Sequence, residues 1–172
     1  MKSWFMAGSD PQDYELGIDA NAVRNGKNSG YLKAKVAEPR GFGTMMQMFK
    51  ANDYLNKRMR FSAFVKSEGI EAWAGLWMRI DGPQQQSPLG FDNMQNRPIK
   101  GTTDWQKYEV ILDVPQESVA IALGILLTGK GQAWVSEVQF EEVGADVPTT
   151  SHEGYTDLPD KAGNLDFAED GA

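Results

Sequence analysis

Residues 71–81 read Glu-Ala-Trp-Ala-Gly-Leu-Trp-Met-Arg-Ile-Asp. The even positions are Ala72, Ala74, Leu76, Met78 and Ile80, all apolar. The odd positions are Glu71, Trp73, Gly75, Trp77, Arg79 and Asp81. A period of two places the two sets on opposite faces of a β-strand. The even face reads as core. The odd face, with two indoles, an arginine and two acids, reads as the outer face of the same sheet.

The same period recurs along the chain. Residues 30–36 put Leu32, Ala34 and Val36 on one side. Residues 58–66 do so with Met59, Phe61, Ala63 and Val65. Residues 105–113 set Tyr108, Val110 and Leu112 against Trp105, Lys107, Glu109 and Ile111. Residues 119–127 set Val119, Ile121, Leu123, Ile125 and Leu127 against Ala120, Ala122, Gly124 and Leu126. A further strand is expected over 133–140. Turn chemistry separates these runs: Asn25-Gly26, Gly41-Phe42-Gly43, Asp81-Gly82-Pro83, Gly101-Thr102-Thr103 and Gly129-Lys130-Gly131. No long amphipathic helix competes, and 51–56 offers at most one helical turn. Short alternating strands between such turns predict an all-β, two-sheet antiparallel sandwich. Residues 82–100 read as the longest irregular stretch. Residues 144–163 read as an extended surface tail, with a final strand at 164–167.

The chain has 172 residues, the length of one domain, so 1–172 is expected to be a single β-sandwich. It holds no cysteine, which excludes disulfides, thiolate metal sites and a cysteine nucleophile. Its single histidine, His152, lies among Pro148, Thr149, Thr150, Ser151 and Gly154 and reads as a solvated tail residue rather than a catalytic base. No nucleophile elbow, phosphate loop or dinucleotide fingerprint is present. No apolar run reaches membrane-spanning length, and Met1-Lys2-Ser3-Trp4-Phe5 does not resemble a signal peptide; the expectation is a cytoplasmic protein with no membrane partner. The net charge is −7, and 144–172 carries seven acids against Lys161. Residues 1–143 are therefore close to neutral, and no nucleic-acid partner is expected.

The run Gly101-Thr102-Thr103-Asp104-Trp105-Gln106-Lys107-Tyr108-Glu109, then Val114-Pro115, Gly124, and Gly129-Lys130-Gly131-Gln132-Ala133-Trp134-Val135 before Val138-Gln139-Phe140, resembles the second half of jelly-roll carbohydrate-binding modules. Residues 54–66 look like their middle strands. A second resemblance spans nearly the whole chain, through Trp4-Phe5-Met6-Ala7-Gly8-Ser9, Tyr14-Glu15-Leu16-Gly17-Ile18-Asp19, Gly41-Phe42-Gly43-Thr44, Trp73-Ala74-Gly75-Leu76-Trp77-Met78-Arg79 and Phe91-Asp92-Asn93-Met94. These look like an uncharacterised bacterial domain found C-terminal in some transcriptional regulators. This chain has no helix-turn-helix region, so no DNA-binding role is carried over. The resemblance implies a jelly-roll, galactose-binding-domain-like sandwich that binds a small molecule, a saccharide first among the classes. Jelly-roll modules often hold a structural calcium, for which Asp19, Glu15 and Glu141 are the candidate ligands; no other cofactor is implied.

The candidate site follows from the odd face of 71–81. Indoles stack on sugar rings or other rings, and a guanidinium adds directional hydrogen bonds, so Trp73, Trp77 and Arg79 form its centre. Gln47, in the strand candidate 44–50, joins them. Asp92, Asn93, Gln95 and Arg97 supply a polar lip from the loop 91–98. The bland alternatives stand beside these assignments: the indoles pack under a loop as a second structural cluster, and the loop polars only cap turns. Two other functions remain open. One is a small β-sandwich enzyme using Arg79 with carboxylates from Asp81, Asp92 and Glu71; the other is a protein-interaction domain of a regulator.

Overall fold

The structure is a computed structural model and describes residues 1–84, 87–151 and Leu165. Among the described residues nine strands follow in order: β1 (Phe5–Gly8), β2 (Tyr14–Arg24), β3 (Lys27–Ala34), β4 (Phe42–Lys50), β5 (Lys57–Asp81), β6 (Gly90–Asp92), β7 (Ile99–Val114), β8 (Ala120–Thr128) and β9 (Gln132–Val143). Short 3-10 turns occur at Pro11–Asp13 and Asn52–Tyr54, the second where one helical turn is expected. No helix among the described residues is long and apolar enough to cross a membrane.

All the pairings are antiparallel. The runs 58–66 and 71–81, which read as two strands, are the two ends of one strand, β5. It bends near residues 66–72, where its register with β7 shifts three times and Gly69 takes φ of 58°. Register shifts of this kind let a strand turn a corner between sheets. The first half of β5 pairs with β9 and β7, and β3 and β2 follow beyond β9. The second half pairs with β8 and β6, and β4 and β1 follow beyond β8. A single nine-stranded sheet thus curls into the two layers of a jelly roll.

The core lies between the layers and uses the apolar faces that alternation assigns. Phe61, Val65, Val110 and Leu112 face Leu76, Met78, Ile80, Ile121, Ile125 and Leu127 in one buried cluster. The β2–β3 hairpin turns at Asn25-Gly26, both with positive φ (49° and 75°), a geometry that matches the twist of the flanking strands. Tyr14 fastens this hairpin to the other layer: its hydroxyl donates to the Gly41 carbonyl at 2.9 Å and accepts the Gly129 N–H at 3.0 Å.

One expectation changes. The stretch 82–100 contains β6, whose residues 90–92 extend the second layer beside 78–80. Three residues are too few to show a period, so alternation does not reveal this strand. Of the strand candidate 164–167, only Leu165 is described, and it is exposed. The rest of that strand candidate and His152 lie outside the described residues.

Candidate functional site

The outer face of the second layer follows from its registers. Trp73 lies opposite Thr128, and Thr128 opposite Phe42. Gly75, Leu126 and Thr44 form the next row, and Trp77, Gly124 and Met46 the third. Arg79, Ala122 and Met48 form the fourth, and β6 adds Phe91 beside Arg79. On the far edge, Phe5 and Ala7 of β1 continue the rows of Met46 and Thr44.

A groove of about 500 Å³ crosses these rows. Ala7, Phe42, Met46, Trp73, Trp77, Phe91 and Leu126 supply its apolar lining. Arg79, Asn93, Thr44 and Thr128 are its polar residues, and it contains no carboxylate among the described residues. The volume falls within the range of small-molecule sites. Beyond the groove the face stays apolar through exposed Phe5 and Met48.

The two tryptophans differ. Trp77 is 6% exposed and packs with Met46, Ala122 and Leu126. Its indole N–H donates to Thr44 Oγ1 at 2.8 Å, and the Thr44 hydroxyl donates to the Ile125 carbonyl at 2.8 Å. Trp73 is only partly buried against this cluster. The cluster is a second, structural one, built by side chains of β4 and β8 rather than under the 82–100 loop, and it floors the groove as well. The small residues of β8 make room for it. Ala122 packs beneath Trp77, and a Cβ on Gly124 would lie 2.9 Å from Met46 Cα. Gly75 admits the end wall, because a Cβ there would come within 2.7 Å of the Asn93 carbonyl oxygen.

Arg79 is held in the plane of the sheet by Asp81. Its Nε and Nη2 donate to the two carboxylate oxygens at 2.8 and 3.1 Å, and its guanidinium carbon stands 6.0 Å from the Trp77 ring centroid. Asn93 reaches the groove from the 91–98 loop, its side-chain oxygen accepting the Gln95 N–H at 3.1 Å.

Of the expected site residues, Trp73, Trp77, Arg79 and Asn93 come together; the other four do not. Gln47 points to the opposite face and lines a separate hollow with Phe49, Tyr54 and Phe140. Gln95 is exposed and caps the turn through its own N–H. Asp92 lies opposite Met78, whose side chain is in the core, so it faces away from the groove. There Arg97 Nη2 and the Thr150 hydroxyl each donate to Asp92 Oδ2 at 2.6 Å, and the Met94 N–H donates to Oδ1 at 3.0 Å. Thr150 also bonds Ile111 through its N–H and accepts the Ile111 N–H. Asp92 therefore clamps β6 to the segment leaving β9 through Thr150, while Arg97 holds Asp92 and bonds the Glu109 carbonyl of β7. Sequence reading missed Phe42, Met46, Phe91 and Leu126, which join the groove by cross-strand register. The carboxylate set drawn for catalysis does not converge either: Asp81 serves Arg79, Asp92 lies behind the sheet and Glu71 is outside the lining.

Burial works against the Asp92 carboxylate, but the hydrogen bonds from Arg97, Thr150 and Met94 outweigh it and hold its pKa below the ordinary value. A depressed folded-state pKa contributes stability that is complete above the unfolded value and lost as the pH falls through the folded one. That window opens below about pH 4. Asp92→Asn is expected to lower stability at neutral pH by about 1.5–3 kcal/mol, the range for hydrogen bonds to a charged group. It should also shrink the loss of stability of the wild type between about pH 4 and about pH 2. Urea midpoints across that range test this, and an unchanged acid slope in Asp92→Asn counts against it.

The candidate calcium ligands are separate. Hydrogen bonds from the Trp134 indole, first, and from the Asn21 and Ala22 amides hold the Asp19 carboxyl below its ordinary pKa. Glu15 pairs with Lys33, and Glu141 with Arg60. No cluster of three acids or histidines fit to hold a metal occurs among the described residues.

No family model matches the chain. A Bacillus subtilis (strain 168) protein named an uncharacterized HTH-type transcriptional regulator, YbfP, is 48% identical over 171 residues, 99% of this chain. The chain spans 58% of that relative's length. Among solved structures, the CBM22-1 xylan-binding domain of Paenibacillus barcinonensis Xyn10C matches 84% of this chain and 88% of its own, with 19% identity and a TM-score of 0.58. The CBM22-1–GH10 modules of Clostridium thermocellum xylanase 10B, complexed with xylohexaose, match 87% of this chain and 28% of theirs, with 14% identity and a TM-score of 0.62. At such identities the likeness carries the fold: this chain is a jelly-roll β-sandwich with the architecture of carbohydrate-binding modules.

Proposed function

We propose that the chain is a non-catalytic binding module whose groove over Trp73 and Trp77 takes a saccharide. The observation that carries this is the half-buried Trp73 ring in a ligand-sized groove, with Arg79 and Asn93 beside it and no carboxylate among the described residues of the lining. A ring stacks on the indole while the guanidinium and amide hydrogen-bond its oxygens. The xylan-binding name of the similar solved domain favours a sugar, and the regulator name of the curated relative favours sensing over storage or scaffolding. A lining without acid groups favours binding over hydrolysis, because glycoside hydrolysis uses a carboxylate pair.

Calorimetric titration with xylo- and galacto-oligosaccharides tests the reading. Binding is expected in the wild type and a loss of about tenfold or more in Trp73→Ala, the equivalent of exposing one large apolar contact. Heats absent across the panel, or affinity untouched by Trp73→Ala, overturn it.

A further inference from the structure

The polar atoms of the groove floor are already engaged. The Trp77 indole N–H goes to Thr44, and the Thr44 hydroxyl donates to Ile125. Neither has a donor left for a ligand. Around them the floor is Met46, Leu126 and the Trp77 ring, and Trp73 and Phe91 rise beside it. A sugar hydroxyl pressed onto this floor would lose water without gaining a partner, which is costly. The side-chain groups still able to donate stand among the remaining lining residues: the second amino group of Arg79, the Asn93 amide and the Thr128 hydroxyl. The groove is thus an apolar floor with a separate set of donors; a bare polyhydroxylated chain engages the donors and one ring face on an indole, and leaves the rest of the floor uncovered.

We infer that the ligand is a glycoside with an apolar aglycone, aryl rather than methyl, whose aglycone covers Met46, Leu126 and Trp77 while its sugar oxygens meet Arg79, Asn93 and Thr128. This rests on the saccharide reading and adds which end of the ligand enters the groove. The exposed Phe5 and Met48 continue the apolar face, so a larger aromatic group also finds contact there. Arg79 keeps its place through Asp81 and acts as a donor to neutral oxygens, its charge being already balanced.

Calorimetry with matched phenyl and methyl glycosides of xylose, glucose and galactose, with phenol alone and with xylotriose, tests it. At least one phenyl glycoside is expected to bind about tenfold or more tighter than its methyl partner, from the burial of one ring. Phe91→Ala, at an exposed position of β6, is expected to bring that ratio down, whereas Asn93→Ala weakens both members of the pair alike. Equal binding of phenyl and methyl glycosides, or xylotriose binding tighter than either, overturns this inference and leaves the saccharide reading standing. Phenol binding as tightly as the phenyl glycoside, or no binding by any sugar, overturns both.

Discussion

Trp77→Ala is expected to lower the free energy of unfolding by about 3–5 kcal/mol, the range for removing a large buried aromatic side chain. The indole is almost fully enclosed by Met46, Ala122 and Leu126, so its removal leaves a cavity that β-strands on either side cannot close by collapsing. It also removes the donor that Thr44 accepts, in a buried row. Trp73→Ala is expected to cost less than half as much, because Trp73 is only partly buried and no hydrogen bond from its indole is present among the described residues. Urea unfolding of the two variants, with m-values checked for constancy, separates them. Equal losses would mean that Trp73 is as structural as Trp77, and that the groove has no exposed ring to offer.

This asymmetry shows where the sequence was legible. Within 73–80, alternation alone assigns the side chains to their layers: Ala74, Leu76, Met78 and Ile80 are all buried in the main core, and Trp73, Trp77 and Arg79 all share the other face, while Ala72, also on the even face, is only partly buried and lies outside the core cluster. The depth of each indole depends instead on which residues lie across from it. Trp77 meets Gly124 and Met46, whereas Trp73 lies at the mouth beside Thr128 and Phe42. Those pairings come from β4 residues 31 positions earlier and β8 residues 47–55 positions later, and period-two patterning in one strand carries no register with another.

Gln47 fails for the same reason. Its own strand places it with Met45 and Phe49, opposite Met46, and that division is correct. Which half of β4 shares a face with Trp77 is decided by the triple Met46, Gly124, Trp77, a long-range fact. Asp92 and Arg97 fail differently. A polar loop beside an aromatic strand is compatible with a ligand lip and with a clamp. Only the parity of β6, which turns Phe91 to the groove and Asp92 away from it, chooses the clamp. The continuity of β5 was hidden because Ser67, Glu68 and Gly69 break the alternation just where the strand bends, so the bend reads as a loop.

Leu76→Ala and Arg79→Ala, three residues apart on one strand, are expected to have opposite effects. Leu76 is fully buried between the layers, and its truncation should cost about 2–5 kcal/mol of stability. Its side chain points away from the groove, so the variant that remains folded should keep its affinity. Arg79 is about one-third exposed and, among the described residues, ion-pairs with Asp81, whose carboxylate is itself exposed enough to be hydrated when left alone. Loss of such an exposed ion pair costs about 1 kcal/mol or less. Binding should fall instead, because Arg79 supplies donors that no other charged residue of the lining replaces. Urea midpoints and sugar titration on the same two proteins read both effects. If Arg79→Ala unfolds the chain while Leu76→Ala is harmless, the two faces of β5 are exchanged and the groove is not the binding face. If Arg79→Ala folds and binds as the wild type does, the face is right but the ligand does not reach the guanidinium, and the donor set narrows to Asn93 and Thr128.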